Sequence, residues 1–257
     1  VKFSVLGSGS RGNCTVVEAG STRLLIDAGF SGKEIDRRLN MVGIDARSLT
    51  AIIVTHEHDD HIRGIGVLAR RFNIPIYANA ATHRAAAPKI NHLPIAREFG
   101  VGESFTINEF SVHPFAVSHD AVDPVGFIIS DGRRQLGYCT DTGMVTRLIQ
   151  HHLQQCQAVI LEANHDVEML RNGPYPLLLQ QRVLSNQGHL ANETSLALAS
   201  LLAKEQLQLL VLAHLSEINN HPDVVRRVAH HYLSADPTIS VTLSRQEQPL
   251  PLVSLGS

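Results

Sequence analysis

Residues 55–61, Thr55-His56-Glu57-His58-Asp59-Asp60-His61, gather three histidines and three acidic residues in one short stretch. Imidazole and carboxylate are the usual protein ligands of zinc, manganese and related divalent ions. His56 and His58 lie two apart on extended chain, so their side chains point the same way. Asp60 and His61 come where the chain turns, which lets them reach a second point a few ångströms away. A solvated polar loop is the bland alternative, but the order of buried strand, H-x-H-x-D-H and helix favours a metal loop. Other residues able to do chemistry stand singly near the ends of apolar runs: His119, Asp141, Glu162 with His165, and His214, with His189 ahead of a helix. Taken one at a time these are ambiguous. A lone histidine after a strand is more often a surface residue. Asp141 also fits the N-cap of the next helix, and Glu162 with His189 also fits a buried structural ion pair.

Hydrophobic period sets out the elements that must position these side chains. Residues 51–54 read as a short buried strand before the metal loop, and 62–72 as a helix with Ile65, Leu68, Ala69 and Phe72 on one face. Further strands are expected at 3–6, 14–19, 23–26, 74–77, 105–107, 110–117, 126–130, 135–139, 158–162, 209–212 and 239–243. Helices are expected from Ser31 to about 40, then over 80–87, 145–153, 193–205 and 224–233. Ser31 opens a capping box, and Asn192 reads as the N-cap of the helix over 193–205. Residues 166–187 read as a polar connector and the tail from Gln246 as frayed. The loop Gly7-Ser8-Gly9-Ser10-Arg11-Gly12-Asn13 matches G-x-G-x-x-G, but a β-rich run follows where a dinucleotide site needs a helix. Such a loop fits an anion-binding nest or a plain turn.

The bulk numbers are those of a globular chain: 257 residues, 44% hydrophobic, 18% charged, net charge −2. There is no global basic field, so a nucleic-acid partner needs a local patch. Arg11, Arg70-Arg71 and Arg226-Arg227 are the places to look. Three widely spaced cysteines argue for a reducing compartment. No run is long enough for a membrane span and Val1-Lys2-Phe3 opens no leader-like segment, so the cytoplasm is expected.

Taken together, the motifs resemble the signature of the metallo-β-lactamase-fold hydrolases, which build a two-metal site from five short motifs at loop ends. The resemblance implies an α/β fold, a four-layer αββα sandwich, as one domain over 1–257. It implies one ion on His56, His58, His119 and Asp141 and a second on Asp60, His61, Asp141 and His214, with Asp141 bridging. Asp27, in Asp27-Ala28-Gly29, would support the metal loop from behind. The block from Glu162 through His189 to His214 resembles ribonuclease Z, where the matching Glu and His form a proton-donating pair; His165 is the alternative donor. The wording Gly7 to Cys14, His119-Asp120-Ala121, Asn164-His165-Asp166, Gly188-His189-Leu190 and Leu215-Ser216 with Asn219-Asn220 is similar to the YycJ-like (WalJ-like) branch. That implies a 5′-to-3′ DNA exonuclease using Zn2+ or Mn2+, with Ser8, Ser10, Asn13 and Asn192 as substrate contacts. Ala191 stands where that branch leads us to expect Ser.

Two divalent ions against two carboxylates and one hydroxide leave about +1 by formal counting. Such a site favours phosphodiesters, with a metal-held hydroxide oriented by Asp60 attacking phosphorus and His189, backed by Glu162, protonating the leaving oxygen. Flavodiiron proteins carry Glu where His58 stands, and classical β-lactamases carry Cys where Asp141 stands. Glyoxalase II-like thioesterases need a helical domain after the last His, for which little chain remains. The runner-up is a small or cyclic phosphodiester hydrolase of the phosphoribosyl cyclic phosphodiesterase type; a metal-binding scaffold without activity comes third.

Overall fold

Successive strand side chains point to opposite faces, and because both faces are covered that alternation builds the layers. The computed structural model describes residues 1–234 and 238–255; the last two residues of the expected domain and tail lie outside it. The first half holds β1 (Lys2–Gly7), β2 (Cys14–Ala19), β3 (Thr22–Ile26), α1 (Gly32–Met41), β4 (Ala51–Ile53), α2 (Asp59–Ile62), α3 (Ile65–Phe72), β5 (Ile76–Ala78), α4 (Ala80–Ile90) and β6 (Ala96–Glu98). The second holds β7 (Phe105–Ile107), β8 (Phe110–Ala116), β9 (Val125–Ser130), β10 (Gln135–Cys139), α5 (Arg147–Leu153), β11 (Ala158–Glu162), α6 (Val167–Asn172), α7 (Leu177–Val183), α8 (Asn192–Leu202), β12 (Leu209–Ala213), α9 (Pro222–Leu233) and β13 (Ser240–Leu243). A last strand, β14 (Val253–Ser254), returns to β1.

Among the described residues the strands form two sheets, ordered β14-β1-β2-β3-β4-β5-β6 and β13-β12-β11-β10-β9-β8-β7. Each half starts antiparallel and ends parallel: β3 pairs parallel with β4, and β10 with β11 and β11 with β12 likewise. Parallel neighbours need crossovers, and the helices supply them on the outer faces. Phe3, Val5, Leu24, Ile26, Ala51 and Ile53 from one sheet meet Phe110, Val112, Phe127, Tyr138, Ile160 and Val211 from the other in the central core. The alternate residues Leu25 and Ile52 pack outward with Ile35, Leu39 and Leu68, beneath α1 and α3. Val159, Leu161, Leu210 and Leu212 pack outward with Ile149, Leu196 and Val225, beneath α5, α8 and α9. Three apolar interfaces between four layers give the αββα sandwich. Each fully buried Leu, Ile or Phe contributes roughly 1.5–3 kcal/mol.

Several elements differ from the sequence expectation. The helix expected over 62–72 is two, because a turn starts earlier, inside the metal loop, with His58 as its N-cap. The break falls at Gly64, where a Cβ would lie 2.4 Å from the Phe30 carbonyl oxygen. Residues 166–187 are not a plain connector: Asp166 accepts from Met169 N at 2.8 Å and caps α6, and α7 follows. The N-cap of α8 is Ala191, one residue before Asn192. Nor is the tail frayed through residue 255: Leu250 N donates to Val5 O at 2.9 Å, β14 pairs with β1, and Leu255 is buried.

Candidate metal centre

The candidate residues sit at the carboxyl ends of the parallel strands, where open α/β sheets place their ligands. Asp27 follows β3, the metal loop follows β4, Asp141 follows β10, Glu162 ends β11 and His214 follows β12. Asp27, Asp141 and His214 each adopt a left-handed backbone, with φ of 58°, 56° and 55°. Non-glycine residues rarely do so outside turns and functional sites. Gly29 lets the Asp27 loop press on the metal loop, since a Cβ there would fall 1.6 Å from the Asp60 carbonyl oxygen.

The geometry brings together all seven expected metal ligands. Donor atoms of His56, His58 and His119 lie within 4.8 Å of one another, as do those of Asp60, His61 and His214. His56, His61 and Asp141 form a third such group and join the first two. A fourth contains Asp141, Glu162, His189 and His214. Four histidines have Nδ1 engaged on the protein side: His56 with Thr55 Oγ1 at 3.0 Å, His61 with Asp27 Oδ2 at 2.7 Å, His119 with Gly188 O at 3.1 Å and His214 with Glu162 Oε1 at 3.2 Å. That pattern selects the tautomer whose Nε2 is free to ligate. His56 Nε2, His214 Nε2 and Asp141 Oδ2 are buried without a hydrogen-bond partner. Buried polar atoms are normally satisfied, so orphaned atoms within a cluster of borderline ligands fit divalent cations.

Asp27 does its work from behind. Oδ1 accepts from Thr55 N and Oδ2 from Thr55 Oγ1, both at 2.8 Å, while Oδ2 also holds His61. Burial raises its pKa more than His61 and Thr55 lower it. Burial works against charge on His214 too, but Asp141, Asp60 and Glu162 outweigh it and raise its pKa to about 10. Burial, then the charges of His61, His119 and His58, push His56 well down. Asp60 is the reverse case: burial would raise it, but His61 and His214 hold it well below the usual carboxylate range.

Glu162 is buried and joins the two sides of a pocket. Its Oε1 lies 2.7 Å from His189 Nδ1, and its Oε2 accepts from Thr142 N at 3.1 Å and Leu190 N at 3.2 Å. Burial opposes its ionisation, yet His189 and His214 keep its pKa below the carboxylate range. The pocket itself, about 160 Å3, is lined by His189 and His214 together with Ser10, Asn164, Tyr175 and Arg182, among others. A larger cavity of about 790 Å3, beside α9 and β13, has none of the metal-site residues in its lining.

His165, the alternative donor, is buried with neither ring nitrogen hydrogen-bonded and is not among the residues lining this pocket. Burial pushes its pKa down to about 4, so it is a neutral ring at physiological pH. Of the four polar residues expected to touch substrate, only Ser10 lines the pocket. Asn13 is buried: Oδ1 accepts from Ser8 Oγ at 2.8 Å and Gly9 N at 2.9 Å, and Nδ2 donates to Asp60 Oδ2 at 3.2 Å. Ser8 Oγ accepts in turn from His214 N at 2.9 Å. Asn192 and Asn220 exchange two amide hydrogen bonds, at 3.0 and 2.9 Å. Ser8, Asn13 and Asn192 are thus held in buried hydrogen bonds and are not among the residues lining this pocket. Arg11 is paired with Glu217 and Glu247, and Arg226 with Asp223, so neither is a free cation.

The sequence reading missed Thr55, which positions Asp27, His56 and His61. It also missed Tyr175 and Arg182, which came from the stretch read as a connector. Their only sequence signal was an aromatic between two prolines.

Among the described residues no helix is long and apolar enough to cross a membrane. The family model for the beta-lactamase superfamily domain matches residues 22–214. The chain is 40% identical over 227 residues to exodeoxyribonuclease YycJ of Bacillus anthracis, covering 87% of this chain and 86% of that one. It is 34% identical over 263 residues to exodeoxyribonuclease WalJ of Streptococcus pneumoniae, covering 99% and 98%. In three dimensions it resembles the metallo-β-lactamase fold protein YhfI of Bacillus subtilis, with a TM-score of 0.77 at 20% identity over 97% of this chain and 98% of that one. The chain belongs to the metallo-β-lactamase superfamily, in the branch that holds the YycJ and WalJ proteins.

Proposed function

We propose that this protein is a binuclear metal-dependent exodeoxyribonuclease that degrades DNA from the 5′ end. The observation that carries the reading is the overlap of donor groups through His61 and Asp141, with orphaned buried donor atoms among them. Similarity to two proteins named exodeoxyribonucleases supports DNA as the substrate. His56, His58, His119 and Asp141 would hold one ion, Zn2+ or Mn2+, and Asp60, His61, Asp141 and His214 the other. Bound there, the pair would supply Lewis acidity toward the phosphoryl oxygens and make water a nucleophile at neutral pH. Asp60, kept ionised, orients the attacking water. His189 gives its proton to the leaving oxygen, while the Glu162 carboxylate fixes the ring through Nδ1 and balances its charge.

The test is a panel of single-stranded DNA, duplex DNA, RNA and 2′,3′-cyclic nucleotides, each assayed with Zn2+ and with Mn2+. Cleavage of DNA one nucleotide at a time from a 5′-labelled end is the expected result. Turnover of cyclic nucleotides with DNA left intact would overturn it and favour the small-phosphodiesterase reading.

A further inference from the structure

The cavity of about 790 Å3 beside α9 wraps the outer edge of β13. In register, Val241 and Leu243 stand opposite Leu210 and Leu212, which pack beneath α9, while Thr242 stands opposite Val211 of the central core. Val241, Thr242 and Leu243 all line this one cavity, so it reaches both faces of the strand and passes round its edge. Among the described residues β13 ends its sheet, with β12 on one side and no strand on the other. Ser240 N donates to Gln208 O at 2.9 Å and Ser244 N to Leu212 O at 2.8 Å, both toward β12. Alternation along the strand turns the backbone N–H and C=O of Val241 and Leu243 the other way, where the described residues give them no partner. The tail that also lines the cavity does not take that place. Pro249 and Pro251 have no N–H to give, and Leu250 N donates to Val5 O at 2.9 Å.

Open edges recruit strands, and proteins blunt them with charge, proline or cover. β6, at the end of the first sheet, follows that rule, with Arg97 and Glu98 both exposed. Ser240-Val241-Thr242-Leu243 carries neither charge nor proline, and Val241 is 38% exposed. Charge around it has one sign. Arg226 and Arg245 line the cavity, and no acidic residue does among those described. Arg226 is paired with Asp223, but Arg245 is exposed and has no ion pair among the described residues. We propose that the β13 edge is a docking slot for an extended segment of a partner protein. The segment adds as a further strand, lays apolar side chains at alternate positions in the cavity and sets a carboxylate on Arg245. Nucleic acid fits less well, because Leu233, Ile239 and Leu243 make the lining apolar and it offers no Phe, Tyr or Trp to stack a base. The slot is independent of the reaction at the metal centre.

The probe is a library of short peptides with apolar residues at alternate positions, in acidic, neutral and basic versions, titrated against the whole metal-loaded chain by fluorescence anisotropy. Acidic members should bind best. Methylating single peptide nitrogens should abolish binding at every second position and spare it between them, since one edge of the added strand meets β13. Val241→Pro removes an outward N–H, where an edge strand tolerates proline, and should lose the peptide at an unchanged Tm. Should that variant melt early, the methylation pattern still decides. Arg245→Glu should weaken acidic members by about tenfold or more and favour basic ones. No binding by any member up to about 1 mM, a preference for basic members, or methylation effects without alternation would overturn the proposal. A wild-type dimer that Val241→Pro dissolves would overturn it in favour of a second copy. Duplex DNA binding that Arg245→Glu weakens, with no peptide bound, would make the surface a nucleic-acid track instead.

Discussion

The half of the centre built on the first sheet and the half built on the second are assembled differently. On the first, His56, His58, Asp60 and His61 come from one loop and the turn of α2, clamped by Asp27 and Asn13. On the second, His119, Asp141, Glu162, His189 and His214 come from five separate loops or strand ends. Electrostatically the two are alike: burial pushes His56 and His119 down, while neighbouring carboxylates outweigh burial and raise His61 and His214. The first half is a compact set of donors from one loop. The second adds a carboxylate–imidazole pair and a pocket, which is where the proposed proton transfer and substrate recognition are assigned.

Asp141 lies where the halves meet, and its loss should have the largest effect. Asp141→Asn should lower turnover of DNA by at least about 10³-fold, beyond the loss of a single electrostatic donor. It should also reduce the metal content below two ions per chain, read by elemental analysis of purified protein. Full activity with two ions bound would remove the distinction between a shared ligand and a side-specific one.

His189→Ala tests the chemistry assigned to the second half. We expect both ions to stay bound while cleavage of DNA slows by roughly 10²–10⁴-fold. The loss should shrink on bis-p-nitrophenyl phosphate, whose leaving group needs no proton. Equal slowing on both substrates would instead make His189 a phosphate-positioning group.

Asp27→Asn tests the first half and should act more gently. Losing the charge behind His61 should weaken metal binding by about 10–100-fold, measured by competition with a chelator, with less effect on turnover at saturating metal. Were turnover at saturation to collapse as it does for Asp141, the first half would be catalytic and not only a holder.

The same contrast explains what could be read from sequence. The metal loop was legible because its ligands are neighbours in the chain and the spacing alone aims them. The sandwich was legible because β3, β11 and β12 are short apolar runs buried almost throughout, as strands covered on both faces are. The α7 segment was not, since Leu177 and Leu178 are exposed and form no buried stripe. Asn13 and Asn192 read as a substrate contact and an N-cap because polar residues next to Gly or ahead of a helix usually are. Their actual partners, Asp60 and Asn220, come from distant parts of the chain. The pairing of β14 with β1 joins the two ends of the chain and leaves no local signature at all.

The left-handed backbone at Asp27, Asp141 and His214 also limits how the centre can change over generations. An L-residue held there carries strain of about 1–2 kcal/mol, which Asp and Asn relieve through local hydrogen bonds and most other side chains do not. A chance substitution at these strand ends thus meets two filters, one for chemistry and one for shape. Rims such as α7 meet neither. Lineages with this architecture should therefore acquire new substrates by rewriting the rim while the three bends stay fixed, and a substrate switch is best sought by varying Tyr175, Leu179 and Arg182.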